Sequence, residues 1–319
     1  MKTLTLRHAD PERDFGQLAA LFSLEQDEPT SGPGLRADYD EHGERIIRLM
    51  VAEDEGGELL GFNWVTRSRS DYNRGYFYVI VKPEHRGQGA GRLLYDNVEQ
   101  AAKVAQVKKL EISVRDDCPG CRAFAERRGF SARSHSIGMA LELNTFDDRP
   151  YDEKISGLQA QGFQFTSMEA LGNTEEAQRK LYALNNMTAM ETPGTDGEPP
   201  WLSFDDFQKK VCGANWYIPA GQMVVIDTAT GDWAALSAIT RFEGADYAYN
   251  LHTGVDKRYR GRKLGQSVKV LALRFAREVL KTSTVRTNHK EENLPMIAID
   301  EKIGYVRSPG TFLMEKTLE

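Results

Sequence analysis

The sequence HRGQGAGRLL, residues 85–94, places three glycines within five positions, between an apolar run (Tyr76–Val81) and a segment with helical spacing. A strand, a glycine-rich turn and a helix in this order leave the first amides of the helix without an intrahelical acceptor. Glycine lets the backbone take positive φ and approach an anion closely, and the helix dipole favours negative charge there. The stretch therefore predicts an anion-binding turn.

A near copy of this stretch, YRGRKLGQSV, occupies residues 259–268. Arg260 follows Arg86 by 174 residues, and Gly304 follows Gly129 by 175. Two landmarks with almost the same spacing predict a duplicated domain. A polar stretch with a proline, residues 144–152, follows a predicted last strand of the first copy, Ile137–Leu143. We therefore predict an N-terminal domain of residues 1–146 and a C-terminal domain of residues 147–319.

Composition narrows the classes of function. The 319 residues are 40% hydrophobic and 28% charged, which is ordinary for a globular protein with two domains. A net charge of −6 leaves no broad basic surface for nucleic acid or anionic lipid. No apolar run approaches the roughly 20 residues that span a bilayer, and the N-terminus lacks the apolar core of a signal peptide. We therefore expect a cytoplasmic protein, a monomer or homodimer, with no nucleic-acid or membrane partner.

The residues alone leave the ligand of the two turns open. A Walker loop requires GxxxxGK followed by Ser or Thr, which neither copy has. A Rossmann fingerprint requires GxGxxG, and the last glycine is displaced in the first copy and missing in the second. A glycine-rich turn without a ligand is the plainest alternative. It leaves the arginine at the start of both turns (Arg86 and Arg260) unexplained, whereas a charge-assisted contact to phosphate explains it.

Residues 81–94, VKPEHRGQGAGRLL, resemble motif A of the GNAT-type N-acetyltransferases, whose pattern is (Q/R)xxGx(G/A). The second copy is also similar to a tandem subgroup with the pattern TxNxxxNxPMxxINxxLGF, through residues 287–305. The layout is similar to that of mycothiol synthases. The resemblance implies an α/β chain with two GNAT-type domains in tandem, each a mixed, mostly antiparallel sheet flanked by helices.

In such proteins the loop amides hold the pyrophosphate of acetyl-CoA, and the splayed end of the preceding strand binds the pantetheine arm. The resemblance thus implies acetyl-CoA as the cosubstrate, with no metal. The residues that it assigns to acetyl-CoA binding are Val81, Arg86, Gly87, Gln88, Gly89, Ala90, Gly91, Val255, Arg260, Gly261, Arg262, Lys263, Leu264, Gly265, Asn288 and Asn293. Asn293 also has a plainer interpretation as the N-cap of a helix.

The chain departs from the family pattern at three places. Lys263 stands where the pattern has its middle glycine. Many members have a tyrosine four residues before the terminal Gly-Phe, which acts as general acid toward the CoA thiolate; here the two equivalents are Ala125 and Asp300. The first copy lacks the Asn-rich tail and has Asp117-Cys-Pro-Gly-Cys121 instead. The proton for the thiolate must therefore come from another group.

Three residues of the second copy are candidates for proton handling. His252 titrates near neutrality and lies just before the glycine turn, on the same predicted strand as Tyr249. Either residue can instead be packed and hydrogen-bonded without a catalytic role. Asp300 could accept a substrate amine, but we expect it on the helix surface.

The Cys118–Cys121 pair has too few partners for a zinc site. Redox pairing is conceivable, and a helix-starting turn with two small residues is the plainer interpretation.

These observations predict an acetyl-CoA-dependent N-acetyltransferase that acetylates a primary amine, most simply on a small molecule. Enzymes of this kind act largely by positioning two substrates, an effect that can supply ~7–11 kcal/mol. We expect the C-terminal half to be catalytic, because it has the fuller motif tail and a long acidic loop, Met190–Asp206, that could attract a cationic amine. The rival functions are a non-catalytic acyl-CoA-binding or regulatory protein and a protein N-acetyltransferase.

Overall fold

The computed structural model describes residues 4–25, 30–68, 71–195 and 199–319. Within these ranges the strands are β1 (Thr5–His8), β2 (Ile46–Glu53), β3 (Leu59–Arg67), β4 (Arg74–Val81), β5 (Lys109–Arg115), β6 (Ser131–Glu142), β7 (Phe163–Ser167), β8 (Gln222–Asp227), β9 (Trp233–Thr240), β10 (Ala248–Val255), β11 (Thr284–Lys290) and β12 (Val306–Thr317). The α-helices are α1 (Pro11–Phe22), α2 (Gly32–His42), α3 (Ala90–Val104), α4 (Pro119–Glu126), α5 (Asp152–Ala160), α6 (Glu175–Met190), α7 (Phe204–Phe207), α8 (Leu264–Glu278) and α9 (Leu294–Ile303). Among these helices none is both long enough and apolar enough to cross a membrane.

The chain forms two compact units. The N-terminal unit contains Met1–His135 together with Thr311–Glu319. Its strands follow the order β1-β2-β3-β4-β5-β12, and β4 and β5 are parallel. The last of these strands comes from the end of the chain, because Thr311–Thr317 pairs antiparallel with Lys109–Arg115. A sheet of the predicted mixed, mostly antiparallel kind results.

The C-terminal unit contains Ser136–Gly310. Its strands follow the order β6-β11-β10-β9-β8-β7, and β10 and β11 are parallel. Residues 136–142 of β6 pair antiparallel with β11, so the predicted last strand of the first sequence copy completes the sheet of this unit. Each compact unit thus contains the last strand of the other sequence copy. The predicted boundary between residues 146 and 147 does not include this exchange of strands.

Helices cover both faces of each sheet. In the N-terminal unit, α1 and α2 pack on one face around Phe15, Phe62 and Trp64, and the opposite core contains Phe77 and Met314. In the C-terminal unit, α8 and α9 pack on one face, and α6 and α7 cover the other. Strand alternation explains this arrangement, since neighbouring residues of a strand point to opposite faces.

The two exchanged strands, β12 and β6, lead to a matched pair of predictions. Met314 of β12 is buried in the core of the N-terminal unit, and Met139 of β6 is buried in the core of the C-terminal unit. We expect Met314→Ala to cost about 2–5 kcal/mol in the N-terminal unit and Met139→Ala to cost a similar amount in the C-terminal unit. Hydrogen exchange of peptides from β4 and from β10 measures each effect. If Met314→Ala loosened β10 and left β4 protected, the assignment of the strands would be wrong.

Candidate functional site

The two glycine turns have nearly the same backbone conformation. Gly87 and Gly89 take φ values of 76° and 101°, and their equivalents Gly261 and Lys263 take 80° and 67°. The left-handed conformation costs a non-glycine residue roughly 1–2 kcal/mol. Lys263 therefore occupies the glycine position of the pattern with the conformation that the turn requires. The departure from the pattern changes the charge at this position and not the path of the chain.

Each turn leaves a row of backbone amides unpaired. Within the described residues, no protein acceptor is bonded to the amides of residues 87–92 or of residues 261–266. In both units these amides precede the first helical hydrogen bond, Leu93 to Gly89 in α3 and Ser267 to Lys263 in α8. A run of unpaired N–H groups at a helix N-terminus is suited to a phosphate group. The predicted anion-binding backbone is thus present in both units.

The arginine at the start of each turn is held by protein groups. Arg86 Nε donates to the Val81 carbonyl at 3.0 Å, and Arg260 Nε donates to the Val255 carbonyl at 3.1 Å. The outer nitrogens pair with Glu25 and Glu191, respectively. Each guanidinium finds an acceptor at the end of its own strand, and its predicted contact to phosphate stays a prediction. Each arginine joins the strand that precedes the turn to a nearby acidic side chain.

Other cations lie at the turn of the C-terminal unit. Arg262 and Lys263 are exposed there, at the positions that Gln88 and Gly89 occupy in the N-terminal unit. Arg262 lies over the Phe163 and Tyr259 rings, and in the described part of the chain no carboxylate lies within ion-pair distance of Lys263. The next residues, Leu264 and Gly265, are buried, as are Ala90 and Val81 in the N-terminal unit. Because of Arg262 and Lys263, the C-terminal turn carries more positive charge than the N-terminal turn.

In each unit the parallel strands pair only briefly. Residues 74–76 pair with residues 109–111, and residues 248–249 pair with residues 285–286. Beyond these positions no further residue pairs form between the two strands within the ranges described. We call each opening, between the ends of β4 and β5 or of β10 and β11, the fork. Its backbone groups have no ladder partner on that side, so an extended, amide-containing ligand can pair with them.

A bulge distinguishes the fork of the C-terminal unit. Along β9 and β10 the register shifts between Asn250 and His252, so Leu251 is an extra residue with no partner. The pairing of β4 with β3 runs without such a shift. Bulges change the direction of backbone groups beside active sites, and a freed amide there can polarise a carbonyl.

Tyr249 stands at the last paired position of β10, and its hydroxyl accepts a hydrogen bond from the Asn288 side chain of β11. The structure thus brings together a predicted proton-handling residue and a predicted acetyl-CoA residue. The N-terminal unit has a counterpart, in which Tyr76 accepts from the Ser113 amide at 3.1 Å.

His252 follows the bulge and contacts helix α6. Its Nε2 lies 2.9 Å from Thr188 Oγ1, which also lies 2.8 Å from the Leu184 carbonyl. Because a hydroxyl has one proton, donation to Leu184 makes His252 Nε2 the donor and leaves Nδ1 as an acceptor. A Cβ on Gly254 would lie 2.3 Å from Thr188 Oγ1, so glycine is required for this close approach. Burial lowers the pKa of His252 to about 4 and keeps the ring neutral near pH 7.

Asp300 is fully buried, and the expectation that it lies on the helix surface is wrong. Its carboxylate pairs with Lys269 of α8, which is also fully buried, and lies 2.7 Å from His289 Nε2 of β11. A buried carboxylate requires such partners, and they leave it closed to a substrate amine. Burial lowers the pKa of Lys269 below its ordinary value, an effect that Asp300 opposes. His289 and Lys269 lie 11 and 31 residues from Asp300, so sequence reasoning did not connect them.

Among the described residues of the N-terminal unit, the three equivalent positions form no such network with one another. The residues equivalent to Lys269, Asp300 and His289 are Tyr95, Ala125 and Val114, which pack together in one hydrophobic core. A cavity of about 530 Å³ lies beside the N-terminal turn, and its lining includes two acidic residues, Asp54 and Asp96, as well as Arg92 and His85. The described residues show no group of three His, Cys, Asp or Glu side chains that could hold a metal ion.

The motif tail continues beyond β11. Asn293 is the N-cap residue of α9, but its side chain makes no capping bond. The start of the predicted acidic loop lies nearby, since a Cβ on Gly194 would lie 3.0 Å from Lys290 Cβ. Glu191 of this loop is engaged by Arg260, and residues 196–198 lie outside the described residues. The attraction of a cationic amine by this loop stays a prediction.

His252 generates a pH prediction. Because the pKa of His252 is about 4 in the folded chain and ordinarily 6.5, the unfolded chain binds more protons between these values. Stability therefore falls as pH falls from about 6.5 to about 4. We expect about 2 kcal/mol of loss between pH 7 and pH 5 that His252→Gln does not show, measured by urea unfolding of the C-terminal unit. Equal losses in both proteins would show that the ring is solvated.

Comparison with known proteins agrees with this geometry. A sequence model of the Acetyltransferase (GNAT) family matches residues 17–130. The chain is 35% identical over 94 residues to a mycothiol acetyltransferase of Propionibacterium freudenreichii subsp. shermanii, covering 29% of this chain and only 30% of that protein. It is 23% identical over 270 residues to a mycothiol acetyltransferase of Saccharomonospora viridis, covering 82% of this chain and 81% of that protein.

A solved structure matches the whole chain. A tandem GNAT protein from the clavulanic acid biosynthesis pathway, 18% identical, superposes with a TM-score of 0.72 over 99% of this chain and 98% of that chain. This likeness confirms the predicted fold class of two GNAT-type α/β domains in tandem. The match to the GNAT acetyltransferase family therefore covers residues 17–130, and the chain as a whole has the fold of a tandem GNAT protein.

Proposed function

We propose that the C-terminal unit transfers an acetyl group from acetyl-CoA to a primary amine on a small molecule. The observation that carries this proposal is the bulge at Leu251, which lies in a fork bordered by two histidines and by a row of unpaired amides. The N-terminal unit has the amides and the fork but neither the bulge nor the histidines. The names of the two mycothiol acetyltransferases also favour a small-molecule acceptor over a protein.

The residues of the C-terminal unit fit the parts of acetyl-CoA in order. The amides of residues 261–266 and the cations Arg262 and Lys263 hold the diphosphate. When bound, acetyl-CoA supplies the acetyl group as a thioester. The backbone amide of the bulge polarises the acetyl carbonyl. His252, neutral at pH 7, accepts the amine proton at Nδ1, and Tyr249 and Asn288 line the fork beside it.

His289 replaces the missing tyrosine as proton donor to the CoA thiolate. Its Nε2–H donates to Asp300, so the ring must carry its second proton at Nδ1, as the imidazolium, to protonate the thiolate, and it is left neutral after the transfer. Lys269 neutralises Asp300, which allows the carboxylate to stay buried without a proton. Asp300 therefore acts through His289 as a positioning residue, although it occupies the place of the family's usual acid.

The N-terminal unit binds acetyl-CoA without transferring the acetyl group. Tyr76 bridges its fork to Ser113, and the Tyr78 ring packs 4.8 Å from that of Phe22 where the C-terminal unit has His252. The alternative function predicted for the whole chain, acyl-CoA binding without catalysis, therefore applies to this unit.

A matched pair of variants tests which unit is catalytic. Gly265→Val and Gly91→Val place a branched side chain at the same position of the two turns. We expect Gly265→Val to abolish CoA release from acetyl-CoA across a panel of amines, and Gly91→Val to leave it nearly unchanged. Lys263→Glu, an exposed change that keeps the packing, should raise the KM for acetyl-CoA about tenfold. Activity that survives both C-terminal changes and is lost in Gly91→Val would move the site to the N-terminal unit.

The role of His289 has its own test. We expect His289→Gln to lower kcat by roughly 100-fold or more with little change in KM, and to remove one limb of the pH profile of kcat. His135 of the N-terminal unit, whose Nε2 lies 3.0 Å from Asp116, provides the matched control, and His135→Gln should leave kcat unchanged. An unaltered pH profile in His289→Gln would exclude it as the donor while leaving acetyl transfer itself intact.

A further inference from the structure

The Cys118–Cys121 pair forms a disulfide at the start of α4, with the two Cα atoms 5.3 Å apart. Cys118 is the N-cap residue, and both cysteines are half-buried. The two residues between them, Pro119 and Gly120, are exposed. A small reagent can therefore approach the sulfur atoms from the solvent.

This bond contributes little to holding the fold together. Its cysteines are three residues apart and lie in the same turn, so it joins no distant segments. A loop this short contributes only about 2 kcal/mol by restriction of the unfolded chain, less than a long loop does. A purely structural role therefore does not explain the disulfide well. Reversible oxidation and reduction of the two cysteines does not depend on the length of the loop that the bond closes.

The surroundings favour Cys118 as the reactive sulfur. Its Sγ accepts a hydrogen bond from the Cys121 amide at 3.3 Å, at the N-terminus of the helix. A helix N-terminus and a C-x-x-C spacing both lower the pKa of a thiol and stabilise the thiolate. The adjacent carboxylate, Asp117, is paired with Arg115 at 2.7 Å, which offsets its negative charge.

Helix α4 connects this pair to the anion-binding turn of the same unit. Phe124, three residues after Cys121, packs against the start of α3, where a Cβ on Gly91 would lie 3.5 Å from its ring. The Arg128 guanidinium, just beyond the end of α4, lies over the same ring at 3.4 Å from its centre. A conformational change in the first turn of α4 is therefore transmitted through the Phe124 side chain to the unpaired amides at the start of α3.

We propose that Cys118 and Cys121 form a redox-active pair that exchanges with low-molecular-weight thiols, and that its state sets how tightly the N-terminal unit holds CoA. A thiolate of the small thiol attacks one sulfur, forming a mixed disulfide and releasing the other cysteine as a thiolate. A second small thiolate attacks the mixed disulfide. The protein then has two thiols, and the small thiol has been oxidised to its disulfide, so two electrons have passed to the protein.

The exchange is tested in full-length protein with Cys212, the remaining cysteine, replaced by Ser. The protein is equilibrated in buffers of varied reduced-to-oxidised glutathione ratio, quenched and alkylated, and its mass is measured. We expect a single two-electron transition within these ratios. In Cys121→Ser, the thiol of Cys118 should react with iodoacetamide at pH 7 at least about tenfold faster than the thiol of Cys121 does in Cys118→Ser.

Two results would overturn the redox exchange. One is a disulfide that excess dithiothreitol reduces only after unfolding in urea. The other is a pair that stays as two thiols in excess oxidised glutathione.

The coupling to CoA is measured by calorimetry on the same background carrying Lys263→Glu, which weakens the C-terminal site. We expect the affinity of the N-terminal unit for CoA to differ at least about fivefold between the oxidised and reduced states. The double variant Cys118→Ser, Cys121→Ser should show a single affinity whatever the buffer. Equal affinities of the oxidised and reduced protein would overturn the coupling. Because no acetyl transfer enters these measurements, their outcome is independent of the proposed catalysis.

Discussion

The early separation of two parallel strands is the constraint on which the site depends. In the C-terminal unit β10 and β11 form only two residue pairs before the fork opens, and just beyond them the Asn250 carbonyl accepts from the Thr287 hydroxyl of β11 in place of a ladder bond. The Arg260 contacts to the Val255 carbonyl and to Glu191 secure the end of β10, where the turn begins. The unpaired amides of the turn lie at the same end of the fork. A diphosphate suits these amides, and an extended amide chain suits the fork.

The two units show how one backbone supports different chemistry. Tyr95, Val114 and Ala125 fill the N-terminal core, whereas Lys269, His289 and Asp300 form a buried polar network at the same places. Apolar residues of similar size are often as stable as a buried ion pair, so stability alone does not explain the network. Positioning of His289 beside the fork explains the presence of the network, which stability does not.

Because the last strands are exchanged, each half of the chain needs a strand from the other half to complete its sheet. Met314, near the end of the chain, is buried in the core of the unit that begins at its start, and Met139 is buried in the core of the other. Each unit therefore completes its sheet with a strand that the sequence repeat assigns to the other copy. Neither half of the repeat, taken alone, contains all the strands of one sheet.

The sequence by itself determined the duplication, the two turns and the fold class, because glycine spacing and positive φ are local requirements that can be read along the chain. It also marked Tyr249 and Asn288, which are hydrogen-bonded to each other, and His252, which follows the bulge on the same strand as Tyr249. Only the tertiary structure decided the contacts of the two arginines, the burial of Asp300 and the parts played by Thr188, Lys269 and His289. These depend on partners that are distant along the chain, up to 64 residues for His252 and Thr188, and no local pattern specifies which of them meet.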